Sequence, residues 1–80
     1  MLTKAEEKWV RRIQKALNEC PSDRLGFYTI GDRDVFIYDK SKGVDESASE
    51  SGRDFCQEVE HLDAGLGELL FPTEVHSTAG

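Results

Sequence analysis

The chain has few of the residues that build covalent scaffolds: its 80 residues hold two cysteines, two prolines, one methionine and one tryptophan. Two thiols allow a single bridge at most, which excludes the disulfide framework of small secreted domains. Cys20, Cys56, His61 and His76 show no C-x-x-C or H-x-x-x-H spacing, so no metal site is expected. No apolar run approaches the roughly 18 to 20 residues that a membrane span requires, and there is no Gly-rich phosphate loop and no internal repeat. The opening MLTKAEEKWVRR mixes acids and bases where a secretory signal carries a continuous apolar segment. Export is therefore not expected; a reducing cytosol, with both cysteines as thiols, is.

Charge is abundant but one-sided. The formal net charge is −6, and it is unevenly placed. Lys4, Lys8, Arg11, Arg12 and Lys15 against Glu6, Glu7 and Glu19 leave residues 1–20 at +2, whereas residues 41–80 set only Lys42 and Arg53 against nine acids, a balance of −7. Such polarity bears on partners and association rates, not on fold.

Thr3 followed by Glu6 is the capping-box pattern of a helix start, and Ala5, Trp9, Ile13, Ala16, Leu17 and Cys20 recur at three- and four-residue steps up to Pro21. The spacing predicts a helix over 4–19. Leu25 to Ile30 and Val35 to Tyr38 are dense in aromatic and β-branched residues on either side of Gly31-Asp32, which predicts an antiparallel hairpin. With a turn of two or four residues, Tyr28, Ile30, Val35 and Ile37 share one face and Leu25, Phe27, Phe36 and Tyr38 the other. Both faces are then apolar, and each needs a helix, a second copy or a partner over it.

The polar stretch 39–52, with Val44 its one large apolar residue, reads as a mobile loop. Phe55, Val59, Leu62 and Leu66 predict a second helix over 53–64, ended by Gly65 and Gly67. Glu68-Leu69-Leu70-Phe71 is either a third strand near Leu69 or a segment folded back on the core, and 73–80 reads as a disordered tail. The expectation is one compact α+β domain over 1–72, a hairpin packed by two helices in the order α-β-β-α. Its expected core is Trp9, Ile13, Leu17, Phe27, Ile30, Val35, Ile37, Phe55, Val59, Leu62 and part of 66–71. That core is small enough for a homodimer to relieve it.

Three functional readings compete. An exposed apolar patch around Tyr28, Phe36 and Tyr38, rimmed by charge, would bind a protein. The basic stripe Lys4, Lys8, Arg11, Arg12 and Lys15 would bind nucleic acid through phosphate, but a net −6 repels a polyanion and a solvated face paired with Glu7, Glu19 and other acids explains it better. The acidic half would mimic DNA if its carboxylates lay on a rigid face. Catalysis has no comparable footing: Cys56 and His61 are five residues apart on a helix, and Asp32 and Asp34 are turn residues, so no enzyme and no cofactor is expected.

The run MLTKAEEKWVRRIQKALNECPSDRLGFYTIGDRDVFIYD, with GRDFCQ and the terminal VHSTAG, resembles a group of small acidic proteins encoded by lambdoid bacteriophages and enteric prophages. The resemblance spans most of the chain but carries no catalytic signature. It implies the bacterial host cytoplasm and an accessory role dispensable to virion architecture; the partner expected at the apolar patch is an unidentified host or phage protein.

Overall fold

The computed structural model describes residues 1–52 and 54–76. Along the chain run helix α1 (Lys4–Asn18), strands β1 (Leu25–Thr29) and β2 (Asp34–Asp39), a 3-10 turn (Lys40–Lys42), helices α2 (Val44–Ser51) and α3 (Phe55–His61), and strand β3 (Gly65–Leu70). The strands form one antiparallel sheet in the order β1-β2-β3, so the protein is α+β as expected, and the run near Leu69 is the third strand, paired to β2. The start of α1 is the capping box read from the sequence: Thr3 Oγ1 accepts from the Glu6 amide at 3.2 Å and Glu6 Oε1 from the Thr3 amide at 2.8 Å.

The structure departs from the sequence reading in three places, each with a local cause. The first is the hairpin. Thr29 pairs with Val35, so five residues separate the last paired positions, with Gly31 at a φ of 88°. An odd loop reverses the parity expected from a turn of two or four. Tyr28 therefore faces Phe36 across the ladder and shares its side with Tyr38, while Phe27 faces Ile37 and shares its side with Leu25 and Val35.

The second departure is the polar stretch 39–52, which is not loop but the 3-10 turn followed by α2. Its sequence VDESASES is a poor helix former by propensity. Tertiary contacts override that preference: Val44 is fully buried, and Ser47 and Ser51, four residues apart, both donate to the carboxylate of Glu58 in α3, at 2.5 and 3.2 Å. Left-handed glycines bracket the helix, Gly43 at φ 72° and Gly52 at φ 73°.

The third departure is the core. Buried apolar side chains are Tyr38, Val44, Val59 and Ala64, with Tyr28, Phe55 and Leu62 packed against them. Of the expected core, Val35, Ile37, Phe55, Leu62 and Ile13 are half-buried, and Trp9, Leu17, Phe27 and Ile30 are exposed. The reason is that α1 does not lie over the sheet: no residue of it is buried. The second helix is also shorter than 53–64, and Arg53 lies outside the described residues. In the expected tail, the Val75 amide donates to the Asp32 carbonyl at 2.9 Å; 77–80 lie outside the described residues.

Candidate functional site

The sheet has two apolar faces with different fates. On the first, Tyr28 stacks on Phe36 with ring centroids 5.2 Å apart, and Phe55 from α3 meets Tyr28 and Tyr38 edge-on at 5.2 and 5.1 Å. Gly26 lies opposite Tyr38 on this face, where a methyl group would come within 2.5 Å of Tyr38 Cε1. Tyr38 Oη donates to Asp45 Oδ1 at 2.9 Å, which ties the sheet to α2. Burial, then the hydrogen bond to Asp45 and the charges of Asp45 and Glu46, pushes the Tyr38 pKa up to about 12. Burial raises that of Tyr28 as well, with help from Cys56, Glu60 and Asp54.

The strand end below this face is pinned by Asp39. Its carboxylate accepts from the Ser41 hydroxyl and amide and from the Arg24 guanidinium at 2.8 Å. Those donors, the Ser41 hydroxyl foremost, hold it below the usual carboxylate range although burial opposes them.

The second face is open. The register places Leu25, Phe27, Val35, Ile37 and Leu69 on it. Phe27 is 47% exposed and Leu69 40%, and Leu66, the extra residue where the β2–β3 register slips, is 44% exposed. α1 approaches this region at one end alone, where Trp9 and Ile13 line an apolar cleft of about 270 Å³ with Leu69, Leu70, Phe71 and Pro72. Even there Trp9 stays 49% exposed, and further along the stripe Leu17 faces solvent at 48%. Open sheet face and bare helix ridge together exceed what isolated surface hydrophobes explain, and such surfaces mark binding sites.

The three residues expected to form a docking patch sit elsewhere. Tyr38 is buried, and Tyr28 and Phe36 are half-buried with it in the aromatic cluster under α3. Lys4, Lys8, Arg11, Arg12 and Lys15 do share α1 and are all exposed. The expected pairing with Glu7, Glu19 and other acids is not formed: among the described residues the one ion pair is Arg24–Asp39. Cys20 is exposed beyond the end of α1, its thiol donating to the Ser22 carbonyl oxygen at 3.4 Å, and Cys56 is half-buried in α3.

Sequence reading missed Glu58, which it counted with the surface acids; it is fully buried. The signal available was the Ser47–Ser51 spacing, which presents two hydroxyls on one helical face. A second hollow of about 470 Å³ lies between the hairpin tip and the C-terminal segment, lined by Arg33, Pro72, Thr73, Glu74 and His76. Among the described residues no three His, Cys, Asp or Glu side chains converge as metal ligands, and no helix is long and apolar enough to cross a membrane. No protein-family model, curated protein or solved structure matches this chain.

Proposed function

We propose that the chain is a non-enzymatic accessory protein of a phage or prophage, working in the host cytoplasm by binding a protein. The observation that carries the binding role is the pair of incompletely covered apolar surfaces, with Phe27 and Leu69 exposed on the sheet face and Trp9 and Leu17 on the α1 ridge. An apolar surface of this kind favours a protein over a nucleic acid or a small polar ligand. The phage setting rests on the sequence resemblance alone.

The experiment is capture from infected bacteria with tagged wild type and tagged Phe27→Asp, the untagged chain being co-expressed. A protein recovered by wild type and lost by the variant, with the far-ultraviolet circular dichroism of the two alike, is the expected result. Identical recovery by both removes the open face from the interface.

The unpaired basic stripe on α1 favours a second reading, contact with phosphate through Lys4, Lys8, Arg11, Arg12 and Lys15. A salt-dependent mobility shift of DNA or RNA, lost on charge reversal at Arg11 and Arg12, would promote it. Absence of any shift at about 50 mM salt, where such contacts are strong, would remove it.

A further inference from the structure

We propose that the protein covering this surface is a second copy of the chain, with α1 of each copy laid across the open sheet face of the other. The inference rests on the protein-binding reading above and names its occupant.

Area is the first argument. A folded chain of 9.0 kDa exposes about 4,900 Å², whereas this one exposes 6409 Å². The excess is on the order of 1,500 Å² over the whole chain, its termini included, about twice the roughly 800 Å² per partner that a standard-size interface buries. The radius of gyration agrees: it is 14.8 Å, against about 12 Å for a compact domain of this length.

Shape is the second argument. α1 has 15 residues and is about 22 Å long, while strands of five and six residues run about 17 to 20 Å. The ridge of Trp9, Ile13 and Leu17 thus spans the sheet it would cover. Each copy offers one ridge and one face, so the contact is reciprocal about a two-fold axis and closes after one partner.

Need is the third. Among the described residues the buried apolar side chains, Tyr38, Val44, Val59 and Ala64, are a thin core, and the cover that adds most to it is one always at hand. A second copy always is.

The test uses the full chain. Sedimentation equilibrium is expected to give about twice the 9.0 kDa chain mass, and emission from Trp9, the single tryptophan, is expected to shift to the blue as concentration rises. Ile13→Asp damages the ridge and Phe27→Asp the face; each should weaken association at least about tenfold, close to 1.4 kcal/mol. Both positions lie outside the buried cluster, so the fold is expected to persist by circular dichroism. Mixed in equal amounts, the two variants can form a heterodimer with one intact ridge-on-face contact, and the mixture should associate more tightly than either alone.

A wild-type dimer with no recovery in the mixture overturns the reciprocal arrangement. A monomer at its highest soluble concentration overturns the second copy as occupant. If that monomer binds a hydrophobic dye in a Phe27-dependent way, the protein-binding reading survives; if it binds neither dye nor protein, that reading falls too.

Discussion

The two faces of the sheet are built from similar side chains and end differently. Tyr28, Phe36 and Tyr38 lie under α3, whereas Phe27, Ile37 and Leu69 have no roof of comparable extent. What separates them is chain connection. α2 and α3 lie between two strands that are direct neighbours, so closing β2 against β3 brings both helices onto the sheet. α1 is joined to β1 by Glu19–Arg24 alone and meets the sheet at one end. An apolar face is thus buried by whichever element the topology delivers to it, and the amphipathic pattern of a helix does not say whose sheet it will cover.

The sharpest way to break this comparison is to truncate one aromatic on each face. Tyr38→Ala should cost about 3 to 5 kcal/mol, enough to unfold so small a domain, while Phe27→Ala should cost the isolated monomer less than about 1 kcal/mol. Equal losses in urea unfolding at high dilution would mean that the open face is closed within the chain. A smaller effect is expected from Gly26→Ala, whose methyl group collides with the Tyr38 ring. A loss of about 1 to 3 kcal/mol and displaced aromatic resonances should follow, and an unchanged denaturation midpoint would remove the close approach. The mildest probe is alkali. The folded state holds Tyr38 near pKa 12 against an ordinary 10.0, so it favours the neutral phenol. That contribution is complete below pH 10 and is lost as pH rises from 10 towards 12, roughly 1 kcal/mol by pH 11. Denaturant midpoints taken across this range should fall, and Tyr38→Phe should flatten part of the slope.

Local signals were legible where they were self-contained. Thr3 and Glu6 mark the start of α1, Pro21 its limit, and the β-branched and aromatic runs mark β1 and β2. What the sequence concealed depended on distant partners. The Ser-rich α2 is helical because Val44 and Glu58 hold it, and neither its propensity nor its pattern contains that information. The open face was legible only in part: two apolar sides were evident, but which residues shared a side turned on the count of residues between Thr29 and Val35. Tyr28, Phe36 and Tyr38 were accordingly assigned to the surface, when their mutual stacking makes them the natural centre of the fold.

The pairing at the hairpin tip also says where selection acts. A slip of β1 against β2 by one position would exchange inside for outside, setting Tyr28 beside Val35 and Ile37 and turning Phe27 towards α3. A slip of two would leave every residue on its present side. Among descendants of the sequence, the residues that hold Thr29 opposite Val35 should therefore vary less than the number of codons between them.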